Sequence, residues 1–289
     1  MSETFTDKAG NLVANLGATL KALIKIAITP RGSIKRSYAT DASKSLIILG
    51  NGPSLRTNID NDADLLAANH TLAVNFAANT PEFFTLRPRF YVLADPHFFL
   101  NRTDANVSRL LTALNRVDWA MTLFVPSTVG SLSDIITNSN ISVERFPFIA
   151  AEGFRSFEHY AFSKALAMPR PRNVLIPSIM IGAWLGYRNI FLLGADHSWL
   201  QTLSVTDDNR VVSIQPHFYK EDEGEQRRVI ANYMGIKLHE VLESMYIAFK
   251  SYHVIADWAM TQGVNIYNST PGSMIDAFPR KPITAISKL

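Results

Sequence analysis

Four apolar runs in this chain end in residues able to hold a polar ligand: Gly50-Asn51-Gly52-Pro53-Ser54, Asn75, Asp95-Pro96-His97 and Gly194-Ala195-Asp196-His197. Asparagine amides offer donors and acceptors to a phosphate, a ribose or a base edge without adding negative charge. Asp95 and Asp196 can accept from sugar hydroxyls, or hold a divalent cation together with water and phosphate oxygens. The first loop is the most informative. Its glycines let the backbone turn sharply and approach a ligand, and Ser54 is placed to cap a following helix whose free N–H groups favour an anion. The spacing is neither that of a P-loop nor Gly-x-Gly-x-x-Gly, so an ordinary strand–helix turn is the competing reading.

His97, His197 and His217 stand near these carboxylates in sequence or in the turns that follow. They admit a metal-dependent phosphotransferase or phosphohydrolase built on Asp95, His97, Asp196 and His197, although the spacing matches no metal motif. His217 lies in Ile214-Gln215-Pro216-His217-Phe218-Tyr219-Lys220, an irregular stretch before a charged one. An imidazole half-protonated near neutral pH can serve there as a general base. Asn268-Ser269-Thr270-Pro271-Gly272-Ser273 reads as a second anion-binding helix start or as a plain turn.

The elements that must position these residues alternate from residue 44 onward. Strand patterns cover 45–49, 72–75, 90–94, 120–125, 189–193 and 265–267. Helical patterns cover 105–115, 174–185 with a break at Pro177, and 227–262 with one or more breaks. Alternation of this kind predicts an α/β fold with a doubly wound, mainly parallel sheet, in which ligands bind beyond the carboxyl ends of the strands. Residues 127–172 and 201–224 are less periodic and read as lid-like insertions in one domain spanning 41–289. Residues 1–40 read as a basic amphipathic arm, with Leu12, Val13, Leu16, Leu20, Leu23, Ile24 and Ala27 at helical spacing and Pro30 ending the pattern. Packing of this helix on the core or on a partner subunit is the first reading. Contact with an anionic membrane through residues 8–36 is the second.

Composition narrows the classes. The chain has 289 residues, 47% hydrophobic and 18% charged, enough to bury a core in one large domain. It has no cysteine, which excludes disulfides, thiolate metal sites and a cysteine nucleophile, and suits a cytoplasmic protein. Glu3 and Asp7 near the start, without an apolar core beside a cleavage site, argue against a signal peptide, and no apolar run is read as reaching the length of a membrane span. Residues 1–36 hold six Lys and Arg against two acids, 6 − 2 = +4 of a total +3, so the remainder is 3 − 4 = −1. That balance argues against a broad nucleic-acid-binding face.

In order along the chain, these residues resemble the bacterial family-42 sialyltransferases and the related DUF115, or MptE-like, group that includes flagellin-modifying motility accessory factors. Gly50-Asn51-Gly52-Pro53-Ser54-Leu55 looks like that family's first nucleotide loop, and Asn75 stands where it has a nucleotide-contacting asparagine. Asp95-Pro96-His97-Phe98-Phe99 replaces its Asn-Pro with later aromatics. Val174 to Asp196 looks like its central helix–turn–strand ending in Gly-x-Asp. The resemblance implies a Rossmann-like sheet of the GT-A-like variety and an inverting glycosyltransferase acting on a surface polysaccharide, lipopolysaccharide or related glycan. It implies a CMP-linked nonulosonic donor, no metal and no further cofactor. Carried onto this sequence, Asn51, Gly52, Ser54, Asn75 and Asp95 would hold the nucleotide, Asp196 and Ser198 would shape the donor pocket, and His217 would be the base. Ser198 stands where a tyrosine is expected, so Tyr219 or Tyr160 would stabilise the leaving phosphate. The partners implied are the donor and a glycan or lipid-linked acceptor, at the inner face of the cytoplasmic membrane, with a homo-oligomer allowed. A non-catalytic nucleotide-binding subunit of a glycan-assembly complex is the remaining alternative.

Overall fold

The structure, a computed structural model, describes residues 5–34, 44–213, 218 and 235–288. Its centre is a seven-stranded sheet in the order β5-β4-β3-β2-β1-β6-β9, every neighbouring pair parallel. The strands are β1 (Leu46–Leu49), β2 (His70–Val74), β3 (Phe90–Val92), β4 (Met121–Pro126), β5 (Ile141–Phe146), β6 (Asn189–Leu193) and β9 (Asn265–Asn268). The short pair β7 (Ser204–Val205) and β8 (Val211–Val212) forms an antiparallel ribbon outside this sheet. Strand β1 shows why the sheet is covered on both faces. Leu46 and Ile48 pack into one core cluster, and Ile47 and Leu49 into another on the opposite face. The fold is α/β and doubly wound, as the alternation of elements predicts.

From β1 the chain winds outward through β2 to β5, returns to the other side of β1 as β6, and ends at β9. The winding therefore reverses between β1 and β6, which is where a crevice opens at the carboxyl edge of such a sheet. The return is made by α8 (Leu175–Trp184), a helix apolar on every side and buried along its length. Pro177 does not break it. It sits in the first turn, where a missing N–H costs no helical hydrogen bond. Gly182 lets α8 approach the sheet, since a Cβ there would lie 2.6 Å from Cδ2 of Leu46.

Two sequence expectations need correction here. Residues 127–172 are not a lid: they supply the edge strand β5 and the helix α7 (Arg155–Ser163), both packed into the domain. Strand β5 was hidden by its polar alternation, Ile-Ser-Val-Glu-Arg-Phe, which suits an edge. Its buried Glu144 accepts from the Ser33 hydroxyl at 2.6 Å, and Ser33 N–H donates to Arg145 O at 2.7 Å. The second correction concerns α1 (Phe5–Ile28). Its apolar side does not pack on the core, and the stretch Asp7–Ile28 is long and apolar enough, by length and composition, to cross a membrane. Lys21 and Lys25 interrupt the run in sequence and concealed that length.

Candidate functional site

The carboxyl ends of β1 and β6 are locked together by backbone. Gly50 N–H donates to Leu193 O at 2.8 Å and Gly52 N–H to Gly194 O at 2.9 Å. Gly194 has φ +61, and a Cβ there would also press on Leu55 Cβ at 2.9 Å. A Cβ on Gly50 would run into the Gly194 carbonyl, and one on Gly52 into the Asp196 carboxylate. These glycines are required by close approach of two chain segments, whereas from sequence they read as serving a sharp turn and close approach to a ligand.

Asp196 sets the anion chemistry of the loop. Its Oδ1 accepts from Ser54 N–H at 3.2 Å and its Oδ2 from the Ser54 hydroxyl at 2.8 Å. Ser54 makes no side-chain cap for α2 (Leu55–Asn61), contrary to the sequence expectation. The helix start already receives a carboxylate from across the sheet, so the two Ser54 donors expected for a phosphate are both engaged by the protein's own acid.

Between these turns lies a cleft of about 150 Å³, lined by both glycine loops together with Asn51, Asn75, Asn173, Asp196, His197, Ser198 and Trp199. Ser54 is not among the residues lining it. Asn75 enters in the left-handed region, φ +52, and Tyr91 holds that turn by donating to Asn75 O at 2.5 Å while accepting from Ala78 N–H at 2.9 Å. Asparagine is one of the few non-glycine residues that adopt this conformation readily, which suits it to the turn.

Two amides on the cleft carry buried atoms that have no partner among the described residues. Asn51 Nδ2 donates to Val74 O at 3.2 Å, which leaves Asn51 Oδ1 without a partner. Asn173 Oδ1 accepts from Leu175 N–H at 3.0 Å and from the Tyr252 hydroxyl at 2.9 Å, which leaves Asn173 Nδ2 unpartnered. Flipping either amide would sacrifice the bonds it has. One acceptor and one donor thus await a polar ligand, and burying them empty costs on the order of 1–3 kcal/mol each.

The same contacts fix the state of His197, a second left-handed residue at φ +54. Tyr252 must donate to Asn173 Oδ1, because that oxygen already caps α8. Tyr252 therefore accepts, at 2.8 Å, from Nε2–H of His197. The imidazole is thereby the Nε2–H tautomer, and its Nδ1 is an acceptor with no protein partner among the described residues. Burial against Trp199, Phe249 and Tyr252 pushes its pKa down to about 4. As pH falls below the ordinary 6.5, the unfolded chain takes the proton first, so this contribution to stability is present above about 6.5 and lost toward 4. On the order of 2 kcal/mol should disappear between pH 7 and pH 4.5, discounted for the ring's partial exposure. Urea midpoints at the two pH values check this, and His197→Asn, which tolerates the left-handed turn, should remove that part of the dependence.

Other sequence candidates lie elsewhere. Asp95 is exposed at the end of the β3 segment, two strands from β1, where it accepts from His97 N–H at 2.8 Å as a local turn, and it does not line the cleft. His97 pairs with Asn101 at 2.8 Å. Among the described residues no three His, Asp or Glu converge as metal ligands, so Asp95, His97, Asp196 and His197 do not form the centre that the phosphotransferase reading needs. Ser269, Thr270 and Ser273 are buried and Pro271 and Gly272 at the tip of the turn are exposed; the Thr270 and Ser273 hydroxyls donate to the backbone of Leu192 and Ala195, tying this turn to β6 and its end. Tyr160 is exposed on α7 and does not line the cleft. His217 and Tyr219 lie outside the described residues. Phe218 between them donates its N–H to Asn51 O at 3.0 Å, and the Arg56 guanidinium stands 5.6 Å from its ring centre.

No protein-family model matches the sequence, and no curated protein matches it. Among solved structures, the chain is similar to that of the MAf glycosyltransferase from Magnetospirillum magneticum AMB-1, with a TM-score of 0.51 and 13% identity. The likeness extends over 93% of this chain and 38% of that one, so this chain spans about two fifths of that structure's length. It shows a shared fold. Asn173 and Tyr252 come from the geometry of this chain alone, and His197 is a candidate from sequence only for the metal-dependent alternative. A sequence signal existed for Asn173, an asparagine directly before an apolar helical run. None existed for the pairing of His197 with Tyr252.

Proposed function

We propose that this protein is a glycosyltransferase that binds a nucleotide sugar, CMP-linked by preference, in the cleft between β1 and β6. The observation that carries the reading is the pair of buried, oppositely polar amide atoms, Asn51 Oδ1 and Asn173 Nδ2, on a cleft at the reversal of a parallel sheet. Cytosine carries groups complementary to both, its N4 amino group donating to the one and its ring N3 or O2 accepting from the other. The fold shared with a glycosyltransferase is in keeping with it. Asn75 and Ser198 hold the nucleotide and donor, Gly52 gives the backbone its close approach, and Asp196 shapes the pocket by ordering Ser54 and the first loop. His217 removes the proton from the acceptor hydroxyl as the sugar–phosphate bond breaks with inversion, and Tyr219 donates to the leaving phosphate. The hydrogen bond from Phe218 to Asn51 supports this assignment, since both residues adjoin Phe218 in sequence. Neither a metal nor another cofactor enters the scheme. The protein acts in the cytoplasm on a surface glycan or its lipid-linked precursor.

A thermal-shift panel of nucleotides tests the reading. A cytidine nucleotide at a hundred times its Kd should stabilise the fold by about 2.7 kcal/mol, with uridine, guanosine and adenosine nucleotides well behind. Preference for another base, or no stabilisation by any, would overturn it.

A further inference from the structure

The packing of α1 is inverted relative to that of an ordinary surface helix. Apart from Ile26, the side turned to the domain is small or polar: Ala22 is 3% exposed, and Thr19 Oγ1 accepts from Phe154 N–H at 3.1 Å. Gly153, with φ +137, makes room for it, since a Cβ there would lie 2.8 Å from Thr19 N. The large apolar residues share the opposite side. Val13 is 69% exposed, Leu16 61%, Leu20 59% and Ile24 54%. At 100° per residue these positions, with Leu12 and Leu23, fall within one arc of about 120°. An uninterrupted apolar stripe of this size, held outward by specific docking of the other side, marks an interaction surface.

A cationic cavity lies beside it. About 650 Å³ opens between α1 and the body of the domain, lined among others by Lys21, Lys25, Glu152, Arg170 and Arg172. Arg170 is paired with Glu152. The side-chain charges of Lys21, Lys25 and Arg172 have no ion-pair or hydrogen-bond partner among the described residues. We infer that α1 lies in the plane of an anionic phospholipid surface, its Leu12–Ile24 stripe among the acyl chains and Lys21, Lys25 and Arg172 receiving headgroup phosphates. Charge decides between occupants. Residues 1–36 carry +4, which attracts an anionic bilayer and repels the same arm of a second copy. The docking of Thr19 and Ala22 argues for a helix lying along the surface, because a crossing helix would carry the domain's polar side and both lysines into the hydrocarbon. This inference stands apart from the nucleotide-sugar reading.

The test is vesicle co-sedimentation of the full chain. Partitioning onto phosphatidylcholine vesicles containing about one third phosphatidylglycerol should exceed that onto pure phosphatidylcholine at least tenfold. Since each basic residue near such a surface contributes about fivefold, Lys21→Glu with Lys25→Glu should lower anionic partitioning tenfold or more, and Arg172→Glu about fivefold. Leu16→Ser with Leu20→Ser should abolish it while leaving the melting temperature unchanged, because both positions are exposed. Soluble glycerophosphate should not compete at millimolar concentration, and competition would overturn the bilayer in favour of a free phosphate ligand. Equal partitioning onto both vesicle types would overturn the inference. So would a dimer, seen by sedimentation equilibrium, that Leu16→Ser with Leu20→Ser dissociates.

Discussion

Gly194→Ala is expected to lower the melting temperature by on the order of 10 °C and to abolish nucleotide-induced stabilisation. Two costs add at this position. The backbone sits at φ +61, where a Cβ is strained, and that Cβ would meet the Gly50 carbonyl and, at 2.9 Å, Leu55 Cβ. Left-handed strain and overpacking against backbone each cost about 1–3 kcal/mol, and a protein of this size loses roughly 2–4 °C per kcal/mol. Relaxation must move either β1 or β6, because Gly50 and Gly52 are hydrogen-bonded to Leu193 O and Gly194 O. The crevice between those strands therefore changes shape even in molecules that fold. Gly130→Ala is the control: nothing lies within 4 Å of a Cβ there, so its effect should stay within about 0.5 kcal/mol. Circular-dichroism melts with and without nucleotide give both readings. A Gly194→Ala protein with the melting temperature and ligand response of the parent would show that the two loops are not coupled as described.

How much of this was legible beforehand depended on the range of the interaction. Helix α6 (Ala105–Asn115) and strand β6 carry their own signals, an Asp104 cap with 3.6-residue periodicity and an apolar run stopped by glycine, and sequence places them with these same bounds. The convergence of polar residues at strand ends followed from alternation alone, and Asn51, Gly52, Asn75, Asp196 and Ser198 do share a cleft. The strand order is another matter, since nothing local says that β6 returns to lie beside β1. The decisive pairs are long-range: Ser54 with Asp196 across 142 positions, Tyr252 with Asn173 across 79, His197 with Tyr252 across 55. Ser54 looked like a cap, and Tyr252 was only one position in a long helical pattern, because each side chain's partner was out of local reach. Asp95 erred the other way. A strand-end aspartate is satisfied by the turn it starts, and here it is.

His217→Ala is expected to lower kcat by a factor of about 10²–10⁴ with nucleotide affinity unchanged, whereas His197→Asn should raise the donor KM about tenfold with kcat nearly intact. The difference follows from what each imidazole can do at neutral pH. A general base must exchange its proton near the working pH, and His197 is poorly suited to that, with a pKa of about 4 and Nε2–H fixed by Tyr252. What it offers is a neutral acceptor at Nδ1 with a set direction, and losing one such hydrogen bond costs about 1.5 kcal/mol in ground and transition states alike. Tyr252→Phe should then resemble His197→Asn in KM, because without the phenol oxygen the ring is free to choose the other tautomer. The pH profile of kcat separates the roles further. Its acidic limb should persist in His197→Asn and vanish in His217→Ala, whose residual rate no longer depends on that proton. If His197→Asn instead lost turnover and the acidic limb together while His217→Ala kept both, the base would be His197, and Tyr252 and Asn173 would become the groups that orient it.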